Sequence, residues 1–243
     1  MKLRSMMCVG AMALATAALA DYTDGKVCGW MRIDSTLPVT AVGVPWVDVG
    51  NTNSNVKVAD LVKTDGLTDG DNLYVFNNGT WTFYTLDSGA WVAGTTANSS
   101  ITATAGTPGT ATIARGQALY LERSSYSQPF YVYGAVGSAL TSTTLTGATK
   151  YLVASPKATA FTPTTSNISG ATPKSRTAAG DQIVVPLTGG ATRTYTLAGG
   201  KWGYATSTGR VTQDDTANYQ PVPLGTGFWY VTSSSENSIT ITW

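Results

Sequence analysis

The sequence predicts a mainly β protein made of two similar β-sandwich or barrel-like units in tandem, with at most one short helix. Three observations lead to this prediction. Charged residues make up only 12% of the chain, and Gly, Thr, Ser and Asn, which suit turns and strands, take their place. Apolar and polar residues alternate in short runs, as they do in half-buried strands. The chain also repeats several short marks at an offset of about 110 residues.

Residues 1–20 have the pattern of a signal peptide. A positively charged start is followed by an apolar run over 6–17 and by an Ala-Leu-Ala cleavage site that ends at Ala20. We therefore expect the exported chain to begin at Asp21 and to be secreted or held at the cell envelope surface. The apolar run is shorter than the roughly 18 residues that a membrane-spanning helix needs, so we expect no transmembrane helix.

The repeated marks divide the exported chain into two units. Four of them recur in the same order at offsets of 109 to 111: Gly70-Asp71 as Gly180-Asp181, Tyr84-Thr85-Leu86 as Tyr195-Thr196-Leu197, Gly89-Ala90-Trp91 as Gly200-Lys201-Trp202, and RGQALYLERSS from Arg115 as LGTGFWYVTSS from Leu224. Insertions and deletions in surface loops explain a drift of one or two residues. We interpret the pattern as an internal duplication, with unit 1 over 21–138 and unit 2 over 139–243.

Strand signals dominate both units. Asn78 and Gly79 separate two alternating runs, LYVFN and TWTFY, and predict a hairpin because both residues tolerate the positive φ of a type I′ turn. Further strands are expected over 27–33, 39–44, 117–122, 130–136, 150–154, 182–187, 227–232 and 238–243.

Few segments depart from the strand pattern. Val58, Leu61 and Val62 share one helical face behind Ser54 or Asn55 as a cap, which predicts a helix of two turns at most. Three polar segments are expected to be irregular: the loops 94–112 and 162–179, and 138–148 as the join between the units.

The hairpin register predicts which side chains lie in the core. One face carries Tyr74, Phe76, Trp81 and Phe83, and the other carries Leu73, Val75, Thr82 and Tyr84. In unit 2 the second set corresponds to Ile183, Val185, Arg193 and Tyr195, and the first set to Val184, Pro186, Thr192 and Thr194. A core face should stay apolar in both units, so we assign the second set to the core. The repeated Trp91 and Trp202 are also expected to be buried.

The first set, which we call the aromatic quartet (Tyr74, Phe76, Trp81 and Phe83), belongs to unit 1 alone. It is the candidate site for contact with a ligand or partner. Three interpretations stay open. The quartet packs against unit 2 or a loop of its own unit, it is a flat platform for a sugar ring, or it is a contact between subunits of a surface assembly. The candidate partners are accordingly glycans or other surface-protein subunits.

The inventory of reactive side chains argues against an enzyme. The chain has no histidine, the usual general base and the commonest transition-metal ligand. Glycoside hydrolysis can use two carboxylates, but the matched Asp71 and Asp181 each follow a Gly, so we expect a structural role at a turn. Asp214 and Asp215 are weak candidates for a calcium site, because the spacing of an EF-hand loop is absent. We expect no catalytic residue, no cofactor and no metal.

Charge and cysteine content limit the partners further. Lys and Arg number 15 against 14 Asp and Glu, without a basic cluster, so we expect no nucleic-acid partner. Cys28 is the one cysteine beyond the signal peptide, which excludes an intramolecular disulfide. We interpret Cys28 as a small apolar residue of a strand, with an intermolecular disulfide as the alternative.

The same segments carry a family resemblance. TLPVTAVGVPW from Thr36 and TLTGATKYLVASP from Thr144 resemble the GWNLVSVP opening of repeat domains in exported bacterial proteins. GDNLYVFNNGTWTFY from Gly70 resembles their GD strand followed by NGTW, and PLGTGFWYV from Pro223 resembles their closing PGxGFWV. The segment ARGQALYL departs from that closing pattern. The resemblance implies a secreted or surface-attached β domain and supplies no catalytic residues.

These observations favour an exported, non-catalytic β-rich protein that acts as a surface or extracellular structural or interaction module. The alternative is a carbohydrate-binding module that uses the aromatic quartet. A third interpretation is an outer-membrane β-barrel, suggested by the alternation of Ile239, Ile241 and Trp243 at the chain end. Most expected strands are shorter than the roughly 9–11 residues of barrel strands, and FYVYGAV from Phe130 occupies the same place in unit 1.

Overall fold

Strands with alternating side chains account for most of the fold. The computed structural model describes residues 22–23, 26–34, 37–44, 55–58, 66–77, 79–95, 101–135, 142–157, 159–164, 167–176, 179–187, 190–205, 211–213 and 221–243. Twenty strands lie within these ranges. The prediction of a mainly β fold is confirmed.

The first half of the chain contains eleven strands. They are β1 (Tyr22–Thr23), β2 (Lys26–Ile33), β3 (Val39–Gly43), β4 (Asn55–Lys57), β5 (Asn72–Asn77), β6 (Thr80–Asp87), β7 (Ala90–Ala93), β8 (Thr104–Ala105), β9 (Thr112–Ala114), β10 (Ala118–Glu122) and β11 (Phe130–Ala135). The first large sheet has the order β3-β10-β5-β6-β7, with β8 parallel to β6. A small sheet has the order β1-β2-β11, and β4 pairs with β9.

The second half contains nine strands. They are β12 (Ser142–Leu145), β13 (Lys150–Val153), β14 (Ile168–Ser169), β15 (Gln182–Pro186), β16 (Thr192–Ala198), β17 (Lys201–Ala205), β18 (Val211–Gln213), β19 (Phe228–Val231) and β20 (Ile239–Thr242). The second large sheet has the order β13-β19-β15-β16-β17-β18, and a small sheet has the order β12-β20-β14.

The two halves share one strand order. Strands β3, β10, β5, β6 and β7 of the first large sheet correspond in chain order and in place to β13, β19, β15, β16 and β17 of the second. Each small sheet pairs a strand near the start of its half with the last strand of that half, β2 with β11 and β12 with β20. The third strand differs, because β1 joins β2 whereas β14 joins β20. An internal duplication requires the two halves to share a strand order, as they do. The duplication itself stays a prediction.

The central hairpin of the first half has the predicted register. Phe76 lies opposite Trp81 and Tyr74 opposite Phe83. Gly79 has a φ of 86°, the left-handed conformation that a tight hairpin turn needs and that glycine adopts without strain.

Each half has its own hydrophobic core on the predicted face of the hairpin. Leu73, Val75 and Tyr84 belong to one buried cluster, and Ile183, Val185 and Tyr195 belong to the other. Both clusters also contain residues of the small sheets, among them Val132 in the first and Ile241 in the second. Since each core lies between a large and a small sheet, each half fits a β-sandwich.

The repeated tryptophans occupy matching places in these cores. Trp91 pairs with Leu86 across β6 and β7, and Trp202 pairs with Leu197 across β16 and β17. Their exposed fractions are 6% and 2%. The expectation that both are buried is confirmed.

Some polar segments that we expected to be irregular contain strands. The prediction that 138–148 forms only a join is wrong, because Ser142–Leu145 is the strand β12. Its Ser and Thr side chains resemble a linker, yet Leu145 is buried and β12 pairs with β20. The expected loops likewise contain Thr104–Ala105 and Ile168–Ser169, short strands that pair with β6 and β20 respectively.

The predicted short helix stays a prediction. Asn55, one of its two proposed caps, lies in β4, whereas Leu61 and Val62 fall outside the described residues. The signal peptide also falls outside them. Within the described ranges, no helix has the length and apolar character needed to cross a membrane.

Candidate functional site

The two halves meet at corresponding positions near the edges of their large sheets. The Gly43 amide donates to the Gly225 carbonyl over 2.8 Å, and in return the Ala154 amide donates to the Gly116 carbonyl over 2.8 Å. Gly43 is the last residue of β3 and Ala154 directly follows β13. The two carbonyls belong to the turns before β10 and β19. Two isolated β-bridges repeat the pattern, Val42 with Thr226 and Gln117 with Val153. The contact is therefore of the self-complementary type seen in two-fold dimers.

Small residues allow the sheets to approach closely. A Cβ placed on Gly43 would lie 2.6 Å from the Cβ of Ala154, and one on Gly227 would lie 2.5 Å from the Cβ of Ala118. These distances are too short for real Cβ contacts. In each pair one half supplies Ala and the other supplies Gly at the corresponding position.

An aromatic cluster covers one side of this contact. The Trp229 indole nitrogen donates to the Tyr120 hydroxyl over 2.7 Å, and these two residues correspond at the repeat offset of 109. The centroid of the Trp229 ring lies 4.9 Å from that of Phe76 and 5.8 Å from that of Trp81. Trp81 also stacks on Tyr120 at 5.1 Å. Edge and stacked geometries of this kind are favourable for aromatic pairs.

The structure places the aromatic quartet in internal packing. Phe76 and Trp81 contact the second half, while Tyr74 stacks on Phe83 behind them at 5.7 Å. The exposed fractions of Tyr74, Phe76 and Phe83 are 0%, 8% and 5%, and Trp81 is half-buried. This arrangement is the first of the three interpretations. A sugar ring would need an open aromatic face, and a fully buried ring such as Tyr74 presents none.

A buried carboxylate organises one end of the first large sheet. Asp71, 1% exposed, accepts hydrogen bonds from the Ser124 amide at 2.8 Å and the Ser124 hydroxyl at 2.9 Å. The Thr68 amide donates to its other oxygen over 3.0 Å. The carboxylate thus ties the turn before β5 to Ser124, the second residue after β10.

The second half repeats this connection with different neighbours. Asp181, 0% exposed, accepts from the Ser233 amide at 2.9 Å and the Ser233 hydroxyl at 3.0 Å. The Tyr230 hydroxyl donates to its second oxygen over 2.9 Å. Burial, followed by the Asp181 charge and this hydrogen bond, raises the pKa of Tyr230 well above its usual range. Both aspartates are occupied in holding strands together, which is the structural role expected of them.

One cation near Asp71 has no counterpart in the second half. Arg123 is 2% exposed and stands where Thr232 stands in the repeat. Its guanidinium donates to the Gln128 carbonyl over 2.6 Å and lies 5.0 Å above the ring of Phe130. Burial lowers the pKa of Arg123, and the charge of Asp71 opposes that effect. The first half thus holds a buried cation whose charge interacts with that of the buried Asp71.

A cleft opens beside the aromatic cluster, between the halves. It has a volume of about 180 Å³, and residues of β5, the end of β9 and the turn before β10 face residues of β12 and β13 across it. Phe76 lines this cleft, so it is the member of the quartet that a ligand in the cleft could contact.

The metal candidates cannot be placed, because Asp214 and Asp215 lie outside the described residues. Among the residues that are described, no three His, Cys, Asp or Glu side chains form a group that could hold a metal ion.

Sequence reasoning missed Tyr120 and Trp229 as contact residues. A signal was present, because the repeat aligns RGQALYL with LGTGFWY and so matches these two aromatics. Their shared position identifies them as a pair, but only the fold shows that the two sheets meet there.

Comparison with known proteins adds no further assignment. No protein-family model, no curated protein and no solved structure matches the chain. The resemblance to exported bacterial repeat domains therefore stays a prediction.

Proposed function

We propose that the protein is an exported, non-catalytic β-rich module with a structural or interaction role at the cell surface or outside the cell. One observation carries this proposal: the side chains best suited to chemistry are used to hold the fold together. Asp71 and Asp181 are buried, and each accepts hydrogen bonds from a serine that follows a strand. General acid–base catalysis requires a carboxyl group within reach of its substrate.

The contact between the halves supports a structural role. Backbone bonds, close Gly–Ala approaches and an aromatic cluster all cross it. A contact built in this way favours a fixed arrangement of two sandwiches over independent movement. A rigid two-part module with few surface charges suits repeated contact with other subunits of a surface layer or with glycans.

The test is to locate the chain in its native cells and to find where it begins. We expect mass spectrometry to show a first residue of Asp21, and fractionation without detergent to recover the protein outside the cytoplasm. Replacing Ala18 and Ala20 by Arg should block cleavage, because the site requires small residues. Cross-linking of intact cells should then capture the unmodified chain with surface neighbours.

Other outcomes would overturn the proposal. A cytoplasmic chain with an intact N-terminus would contradict export. Hydrolase activity in the purified protein that is lost in Asp71→Asn or Asp181→Asn, with the fold retained, would contradict a non-catalytic role. Specific binding on a glycan array would favour the carbohydrate-binding alternative.

A further inference from the structure

Corresponding residues of the two halves face each other across their contact. Gly43 approaches Ala154, and Ala118 approaches Gly227. The strand registers show that the members of each pair occupy the same place in their halves. In a two-fold dimer such positions lie on the axis, where a residue meets its own copy. The identities of these residues therefore decide which halves can meet.

Each of the two pairs has room for one methyl group. A Cβ added to Gly43 would lie 2.6 Å from the Cβ of Ala154, and one added to Gly227 would lie 2.5 Å from the Cβ of Ala118. Carbon atoms in favourable contact are separated by roughly 3.5–4.0 Å. An alanine methyl group has no rotamer that would move it away, so the backbones would have to separate. Alanine against alanine is thus excluded at both positions.

The two pairs are filled in opposite senses. The first half supplies Gly43 and Ala118, and the second half supplies Ala154 and Gly227. Two first halves that met through these surfaces would place Ala118 against Ala118. Two second halves would place Ala154 against Ala154. Only unlike halves satisfy both positions, and a clash with the wrong partner is a common source of specificity.

A third position selects the same pairing. Tyr120 and Trp229 also correspond, and the indole nitrogen of Trp229 donates to the Tyr120 hydroxyl over 2.7 Å. Two second halves would place an indole against an indole, and an indole nitrogen cannot accept a hydrogen bond. The hydrogen bond therefore adds to the preference of the second half for the first.

The same surfaces are present on every copy of the chain. Each half has its own hydrophobic core and its own sheets, and the chain passes from one half to the other between β11 and β12. We propose that each half is selective for the unlike half, and that the partner it fits is a second copy of this chain, which associates by exchange of halves. This inference names a partner for the proposed interaction role and rests on that role.

The experiment combines two variants that are complementary at one position. In Gly43→Ala the chain's own contact carries alanine against alanine, whereas in Ala154→Gly it carries glycine against glycine. When these two variants exchange halves, each contact receives one alanine and one glycine, and the clash is relieved. A mixture of Gly43→Ala with the unmodified chain is the matched control, because exchange there moves the clash to the other contact without removing it.

Heterodimers are counted by native mass spectrometry after the purified mature chains, one of them tagged, are mixed in denaturant and refolded together. A concentration of about 100 μM suits the test, since halves on one chain compete at an effective concentration in the millimolar range. Relief of an overpacked contact should favour exchange about tenfold. We therefore expect about ten times more heterodimer in the complementary mixture than in the control, and each variant alone should stay mainly monomeric.

The second position gives an independent repeat. Gly227→Ala mixed with Ala118→Gly should form heterodimers, whereas Gly227→Ala mixed with the unmodified chain should not. Should the variants with an added methyl group fail to fold, Gly43→Ala and Ala154→Gly combined in one chain still decide the outcome. That double variant again has a single methyl group in the contact, so it should fold and regain most of the original unfolding midpoint.

Three results would overturn the inference. Equal amounts of heterodimer in the complementary and control mixtures would contradict the selectivity. The absence of heterodimers from both complementary mixtures would contradict the exchange. A double variant as unstable as Gly43→Ala would show that space for one methyl group does not govern the contact. All three are measured on purified protein, so they leave the test of export in native cells unaffected.

Discussion

The two halves are alike in their cores and differ where they touch. Both bury an Asp that binds a Ser, and both bury a Trp at the same strand position. On the hairpin face that points away from each core, however, the first half has the aromatic quartet and the second half has Val184, Pro186, Thr192 and Thr194. Features that hold each sandwich together are thus present twice, whereas the rings that cross the contact are supplied mainly by one side.

This asymmetry follows from joining two units in one chain. In a dimer of identical subunits, a residue near the two-fold axis must fit against its own copy. In a single chain the two sides can differ, so Trp229 of one half can donate a hydrogen bond to Tyr120 of the other. Two tryptophans at this place would lack that match, because the indole nitrogen donates a hydrogen bond and cannot accept one.

The largest expected effect on stability concerns the aromatic rings that only the first half has. The double change Phe76→Thr and Trp81→Thr should lower the free energy of unfolding by about 4–6 kcal/mol, since both rings pack on Trp229 and neighbouring effects are not fully additive. A denaturant titration measures the change. Thr192→Ala, at the exposed position in the second half that corresponds to Trp81, is the matched control and should stay within about 0.5 kcal/mol.

Unchanged stability of the double variant would instead favour a surface function for the quartet. In that case the double variant would keep its unfolding midpoint and lose a self-association or glycan binding that the unmodified chain shows. A large fall in the midpoint, with association unchanged, leaves the quartet as packing.

A second prediction concerns the tryptophans that both halves share. Trp91→Ala and Trp202→Ala should each cost about 3–5 kcal/mol, as expected for removal of a large buried ring. The two costs should agree within about 1 kcal/mol, because the residues lie at the same strand position and are 6% and 2% exposed. A denaturant titration that gives less than about 1 kcal/mol for either would instead indicate a surface role.

Much of this fold could be predicted from local pattern. The Asn-Gly pair at 78–79 of the sequence predicts a tight hairpin, and with it the pairing of Phe76 with Trp81 that the structure has. Comparison of the two units then distinguishes the core face of the hairpin from the other face. Leu73 and its counterpart Ile183 are both apolar, whereas Phe76 has no aromatic counterpart in unit 2. These predictions rest on contacts close in sequence or on positions that the chain presents twice.

The contact between the halves could not be predicted in the same way. Strand β12 was missed because Ser142 and Thr144 face outward and leave Leu145 as its one buried side chain. Arg115 and Lys150 line the cleft from different halves of the chain. They share no sequence motif, so only the fold shows that they line the same cleft. Pattern shows that the quartet differs between the halves, but only the fold shows that Trp229 covers it.

The smallest expected effect concerns the hydroxyl that binds Asp181, for which the first half has Leu121 at the corresponding position. Tyr230→Phe removes one hydrogen bond to a buried carboxylate that keeps its bonds from Ser233, so stability at pH 7 should fall by about 1.5 kcal/mol. The unfolded chain releases a tyrosine proton near pH 10, whereas burial and the Asp181 charge raise the pKa of Tyr230 in the fold. The stability that depends on this hydroxyl is therefore present in full below about pH 10 and is lost as the pH rises above it.

Unfolding titrations from pH 8 to 11 measure this effect. The free energy of unfolding should decline less steeply with rising pH in Tyr230→Phe than in the unmodified chain. Tyr126→Phe, at a tyrosine that is 42% exposed, is the control and should keep the original slope; equal slopes in all three proteins would contradict the role of the Asp181 contact.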